Sequence, residues 1–212
     1  RANCITANTA GVLAGLRRCD SSRSASMRLL PNPLLIATPA QTSTRVVPFS
    51  GDQYFLAGCR LVLQKGIDLL LRAYAELSSD IRDAWPLVIA GDGPERQQLE
   101  EMVSVLGLDG QVHFLGFVSN PQVLYSKKAV FVLPSRFEGM PNALLEAMGA
   151  GMAVLVSDAS PGPLEVVVDQ VTGLVFRSGD VDALAYEMDC ASRDSVMRAK
   201  LGNQAKMLMA SH

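Results

Sequence analysis

Apolar residues run through this chain in two rhythms. Short apolar runs end at glycine or a turn residue: "YFLAG" (54–58), "PLVIAGDG" (86–93), "VHFLG" (112–116), "AVFVLPS" (129–135), "AVLVS" (153–157) and "GLVF" (173–176). None alternates with polar positions, so each reads as a strand buried on both faces. Between them the period lengthens to that of a helix. Ile67, Leu70, Leu71, Tyr74 and Leu77 share one helical face. In "PERQQLEEMVSVLG" (94–107) the stripe is Leu99, Met102, Val103 and Leu106; Pro94 suits the first helical position and Gly107 a stop. Further helices are expected near "PQVLYSK" (121–127) and "PLEVVVD" (163–169), through "MPNALLEAMGAG" (140–151) from Pro141 or Asn142, and from about Val181.

Strands that alternate with helices and are apolar throughout predict an α/β domain: a doubly wound, Rossmann-like parallel sheet flanked by helices, over residues 51–212. Ligands in such sheets lie at the carboxyl ends of the strands, where the strand order reverses. Residues 1–18 read as an entering segment and a short helix. Residues 19–53, rich in Ser, Thr and Pro, read as a linker with at most one short strand near residues 27–30.

Candidate chemistry gathers behind the strands. Gly58, Gly91, Gly93, Gly116, Ser135, Ser157 and Asp158 follow strand ends, where glycine permits a sharp turn and close backbone approach to a ligand; an ordinary loop needs turn residues as well. No GxGxxG run follows a strand, which disfavours a dinucleotide-dependent dehydrogenase. In "PSRFEGMPNALLEAMGAG" (134–151) Glu138 lies in the loop before a helix and Glu146 one turn inside it. The N–H groups of Gly139, Met140, Asn142 and Ala143 are candidates to be free at that helix start, while Pro141 has none. Free donors and the positive end of the helix dipole form an anion seat. With a carboxylate nearby for paired ribose hydroxyls, the arrangement suits a nucleoside diphosphate. Arg60 and Lys65, just after the first of these strands, could neutralise the diphosphate as it leaves. Pro161, Gly162, Pro163 and Glu165 could line a sugar or form only a rigid turn. Beside these stand plainer readings: Glu138 as a surface acid at the helix dipole, Glu146 as a solvent-facing helix former, and Arg60 and Lys65 as solvated surface charge.

Composition narrows the classes. The 212 residues are 49% hydrophobic with net charge −2, enough for a sizeable core and without the basic stripe that nucleic acid requires. No apolar run approaches the length of a membrane span. Two histidines (His113, His212) and cysteines at 4, 19, 59 and 190, in no ligand spacing, argue against a protein-built metal site and read as reduced thiols of a cytosolic protein.

The runs "CRLVLQKGIDLLLRAY", "LVIAGDGPERQQLEE", "VHFLGFV", "AVFVLPSRFEGMPNALLEAMGAGMAVLVSD" and "GPLEVVVDQVTGLVF" appear in one order over about residues 53–190. In that order the chain resembles the C-terminal, donor-binding domain of retaining nucleotide-sugar glycosyltransferases of the GT-B architecture (the group 1, family 4 type). The form around "RFEGMPNALLEAM" most resembles bacterial enzymes that build surface polysaccharides. The resemblance implies one half of a GT-B fold and transfer of a hexose from a nucleoside-diphosphate sugar to a saccharide or lipid-linked acceptor. It implies catalytic roles for Arg60 and Lys65 at the diphosphate and for Glu138 at donor sugar hydroxyls. It implies ribose binding by Glu146, phosphate or sugar binding by the loop at Gly139, Met140, Pro141 and Asn142, and base contacts near Gly91, Gly93 and Phe117. No cofactor and no metal are implied, the nucleotide sugar being a substrate. Residues 1–50 are expected to be the tail of an N-terminal acceptor domain and the interdomain linker, "RLLPNPL" resembling the linker motif. The chain is then expected to be inactive alone, and the full protein cytoplasmic with peripheral contact at the inner membrane face. A non-catalytic nucleotide-sugar-binding module, or a GT-B epimerase or phosphorylase, is the alternative. The chain departs from the family pattern at Cys59 and Gln170, where glycine is usual, and at Ala153, where proline is frequent.

Overall fold

The computed structural model describes residues 4–19, 26–29, 48 and 51–211; most of the expected linker, including residues 30–34 of "RLLPNPL", lies outside them. The six apolar runs are strands of one all-parallel sheet: β3 (Phe55–Gly58), β4 (Leu87–Ala90), β5 (Val112–Gly116), β6 (Val130–Leu133), β7 (Ala153–Ser157) and β8 (Leu174–Phe176). Their spatial order is β5-β4-β3-β6-β7-β8. It reverses between β3 and β6, as a doubly wound sheet does.

Alternate strand residues supply two cores. Phe55, Ala57, Leu87, Ile89, Val130, Val132 and Leu155 pack with α2 (Ile67–Ala75), α4 (Arg96–Val105) and α7 (Val181–Arg193). Leu56, Val88, Phe131, Leu133, Val154 and Val156 pack with α5 (Asn142–Ala150) and α8 (Ser195–Ala210). Burial on both faces is why these strands carry no polar alternation.

N-terminal to this sheet, β1 (Cys4–Ala7) and β2 (Ser26–Leu29) pair in parallel around α1 (Ala10–Cys19) as a separate two-stranded sheet. β2 stands where a short strand is expected, one residue earlier; β1 was not foreseen as a strand.

Several local expectations need correction. α4 begins at Arg96, not Pro94: the Arg96 N–H closes a turn on the Gly93 carbonyl (3.1 Å), and the first helical bond runs from the Leu99 N–H to the carbonyl of the N-cap Glu95 (2.9 Å). The helix sought in "PLEVVVD" is α6 (Pro161–Leu164), one turn opened by two prolines, and Val166 and Val167 beyond it are buried non-helical core. The short helix near 121–127 is a 3-10 turn, Pro121–Leu124. α3 (Ser79–Ala84) was not foreseen: it buries only Ile81 and presents no apolar stripe. The C-terminal helix is two, broken at Asp194, whose carboxylate accepts from the Met197 N–H (2.8 Å) and caps α8.

Candidate active site

The reversal between β3 and β6 brings the loops leaving their carboxyl ends side by side. The β3 loop (59–66) carries a 3-10 turn, Leu63–Lys65. The β6 loop (134–141) is stitched to it. The Arg136 N–H donates to the Gln64 carbonyl (2.8 Å) and Gln64 Nε2 to the Phe137 carbonyl (2.9 Å). The Arg136 guanidinium donates to the Leu63 carbonyl (2.8 Å) and forks onto both oxygens of Asp68 (2.7 Å each) in the first turn of α2. Such a fork fixes direction as well as distance. Burial alone would raise the Asp68 carboxyl, but the hydrogen bonds and charge of Arg136 hold it below its ordinary value.

This stitching brings together Lys65 and Glu138, 73 residues apart, with Nζ 2.5 Å from Oε1. Glu138 is only 8% exposed. A carboxylate so buried needs partners. Ser135 Oγ donates to Oε1 (2.7 Å), the Glu138 N–H donates to Ser160 Oγ (2.9 Å), and Ser157 Oγ donates to the Ser135 carbonyl (2.5 Å). These three serines are themselves buried. Oε2 receives no hydrogen bond among the described residues. Every fully buried side-chain polar atom there has a partner, so Oε2 reaches solvent.

Glu146 is arranged alike. It lies half-buried in the second turn of α5, and Tyr125 Oη donates to its Oε2 (2.8 Å). Its Oε1 has no donor among the described residues and by the same reasoning is open to solvent.

α5 starts beside this pair. Pro141 is its N-cap, in extended conformation, and its carbonyl takes the N–H groups of Leu144 (3.1 Å) and Leu145 (3.4 Å). Among the described residues the N–H groups of Gly139 and Ala143 have no acceptor. Met140 is half-buried against the core and Asn142 is exposed at the first helical position. Two segments flank the loop, the first closely and the second at ordinary contact distance. A Cβ on Gly162 would lie 1.7 Å from the Gly139 carbonyl oxygen, so only glycine lets α6 pack there. A Cβ on Gly139 would lie 3.9 Å from the Asn8 side chain, in the turn between β1 and α1.

Of the other expected site residues, Arg60 is exposed; its carbonyl accepts from the Val62 N–H (3.0 Å), while its guanidinium makes no hydrogen bond or ion pair among the described residues. Gly91 and Gly93 lie in the loop after β4, and their small size has a packing cause. A Cβ on Gly91, at φ +141°, would lie 1.8 Å from the Cys59 carbonyl oxygen, and one on Gly93 2.2 Å from that of Leu61. Phe117 follows β5 and is 83% exposed. Cys59 has no left-handed backbone and so no conformational need for glycine. Burial pushes its thiol up to about 12, with Lys65 lowering and Glu138 raising it, so it stays protonated beside the pair. Cys4, Cys59 and Cys190 are free thiols. The sequence marks Ser135 and Ser157 only as strand-end turn residues, and it does not single out Ser160 or Tyr125. Ser135, Ser157 and Ser160 sit at strand-end turns where such roles are common, whereas nothing marked Tyr125 within its run.

A family model described as "Glycosyl transferases group 1" matches residues 42–207. A Campylobacter jejuni 4-alpha-N-acetylgalactosaminyltransferase, named for an N-acetylgalactosamine-N,N'-diacetylbacillosaminyl-diphospho-undecaprenol acceptor, is 29% identical over 97% of this chain and 55% of its own length. A second, an alpha-1,4-N-acetyl-D-galactosaminyltransferase also named for a PP-undecaprenol acceptor, is 35% identical over 69% of this chain and 40% of its own. The chain thus spans about half the length of such relatives. Among solved structures, sucrose-phosphate synthase from Thermosynechococcus elongatus superposes with TM-score 0.83 at 25% identity, covering all of this chain and 54% of that one. Anabaena HepE in complex with UDP and glucose gives 0.82 at 19% identity, covering 99% and 59%, a likeness of fold.

Proposed function

The chain belongs to the group 1 glycosyl transferases, and on that premise we propose that it carries the donor site of a retaining sugar transfer from a nucleoside diphosphate. The observation that carries this reading is the meeting of Lys65 and Glu138 at the strand-order reversal, against the open start of α5.

The chemistry follows from where charge develops. As the bond from sugar to diphosphate breaks, negative charge grows on the departing phosphate, and groups already aimed at it lower the barrier. Lys65 spends one of its three N–H donors on Glu138 and is 19% exposed, so it can serve an anion as well. Arg60, uncommitted and exposed, adds a second cation. The Gly139 and Ala143 N–H groups and the α5 dipole add neutral donors. Glu138 Oε2 accepts from the sugar's hydroxyls, while Lys65 and Ser135 hold the carboxylate still. Glu146 Oε1 accepts from the ribose. Phe117, with the backbone around Gly91 and Gly93, flanks the base. These cations and donors supply the charge stabilisation, so the reaction needs no divalent ion.

The acceptor is a saccharide or a lipid-linked saccharide at the inner face of the cell membrane; the diphospho-undecaprenol acceptors named for the Campylobacter relatives support the lipid-linked form. No described helix is long and apolar enough to cross a membrane, and contact there is peripheral in this reading. Residues 51–212 form the donor domain. Residues 1–50 belong with the acceptor side, which the separate β1–β2 sheet supports. The chain binds donor and turns nothing over alone.

A thermal-shift panel of UDP, GDP and ADP against their monophosphates tests the reading. One diphosphate should raise Tm more than its monophosphate, and Lys65→Met should abolish that preference. Equal shifts for di- and monophosphates would refute it.

A further inference from the structure

We propose that Tyr125 is a positioning residue that turns Glu146 toward ribose and so sets the preference for ribonucleotides. This rests on the reading of Glu146 as the ribose carboxylate and adds to it a residue that touches no substrate.

The support runs outward from the core. Tyr54, buried at the start of β3, donates from Oη to the Leu124 carbonyl (2.5 Å), and Leu124 is itself fully buried. That pins the 3-10 turn Pro121–Leu124, whose next residue is Tyr125; the Tyr125 N–H closes on the Gln122 carbonyl (3.1 Å). The ring is half-buried against the second core, and its hydroxyl ends 2.8 Å from Glu146 Oε2. Burial, with the Glu146 carboxylate added, pushes the phenol well above its ordinary value, so it remains a donor across the working pH range.

A glutamate on a helix surface has three side-chain torsions to fix. A ribose presents two hydroxyls whose positions are set by the sugar ring. If Glu146 turned freely, binding would have to order it each time. With Oε2 held by Tyr125, the carboxylate plane is set before the nucleotide arrives and Oε1 is the oxygen left facing solvent. The same arrangement occurs at Glu138, where Ser135 and Lys65 fill Oε1 and leave Oε2. Each carboxylate is therefore held on its protein side by a hydroxyl donor and has one oxygen open.

Calorimetry on this chain tests the proposal, with UDP, GDP, ADP and their 2′-deoxy forms as probes and urea unfolding as a fold control. In the unaltered chain the ribonucleotide that binds should do so more tightly than its deoxy form. Tyr125→Phe, which removes only the hydroxyl, should weaken the ribonucleotide about three- to tenfold, the worth of one hydrogen bond. The 2′-deoxynucleotide, which keeps only the 3′-hydroxyl, should lose less, so the preference narrows. Loss by an equal factor for both forms, or no loss for either, would make Tyr125 a packing residue and overturn the proposal. Glu146→Gln separates the two layers. If it leaves the ribose preference intact, the assignment of Glu146 fails and this inference with it. If it erases the preference while Tyr125→Phe does not narrow it, only the positioning role fails. Binding of none of the three diphosphates would overturn both.

Discussion

Lys65→Met is the sharpest perturbation of the site's architecture. It removes the cation 2.5 Å from a carboxylate whose side chain is 7% exposed. Breaking a well-buried pair from one side costs about 3–5 kcal/mol, since the remaining charge is left uncompensated. Two features reduce that here. Ser135 still donates to Oε1, and Oε2 reaches solvent. A loss of about 2–3 kcal/mol is expected. Glu138→Gln should cost less, about 1 kcal/mol, because the stranded ammonium is 19% exposed and can turn outward to water. The double variant removes both charges together. It should cost about 1–2 kcal/mol, less than the sum of the singles, for a coupling of about 2 kcal/mol. Urea unfolding of the four chains, with unchanged slope as the check on two-state behaviour, measures all three values. Equal losses in the two singles, or a double equal to their sum, would show that Lys65 does not compensate Glu138.

Three further expectations concern positions around the site. Gly162→Ala puts a Cβ 1.7 Å from the Gly139 carbonyl oxygen and should destabilise by about 1–3 kcal/mol in urea while weakening diphosphate binding. Gln170 holds φ +58° on an exposed turn. Gln170→Gly relieves the left-handed strain but frees the unfolded chain, so a gain of about 0.5 kcal/mol should remain, read as a raised urea midpoint. The Asp68 carboxyl is depressed in the fold, so its pairing with Arg136 stabilises fully above the unfolded value near 3.9 and is lost as pH falls through the lower folded value. Asp68→Asn should flatten acid unfolding below about pH 4 and cost about 1 kcal/mol at neutral pH; an unaltered acid limb would refute the assignment.

Which parts of the molecule were legible in advance follows from what each interaction leaves in the chain. The strands were, because β4, β6 and β7 are buried along their whole length and therefore apolar at every position. The sides of the site were legible too, since strand ends and helix starts carry Gly, Ser and Pro. The pairing of Lys65 with Glu138 was not, because it depends on strand order, which no local pattern encodes. Nor was the support of Glu146, since Tyr125 lies in a run whose spacing fits an ordinary short helix. α8 hid for another reason. Its inward face includes Arg198, 5% exposed, with its guanidinium 4.6 Å from the Trp85 ring and donating to the Ala191 and Ser192 carbonyls. A charged residue used as core filling defeats hydrophobic periodicity. The Asp194–Ser195 start was the signal for it.

A crystal structure of the chain with whichever of UDP, GDP or ADP raises its Tm would show where the donor nucleotide sits. The diphosphate should lie against Lys65, Arg60 and the Gly139 and Ala143 N–H groups, with a ribose hydroxyl on Glu146 Oε1. A nucleotide seated elsewhere, such as the 450 Å³ groove between α7 and α8 lined by Tyr186, Cys190 and Met197, would contradict that placement.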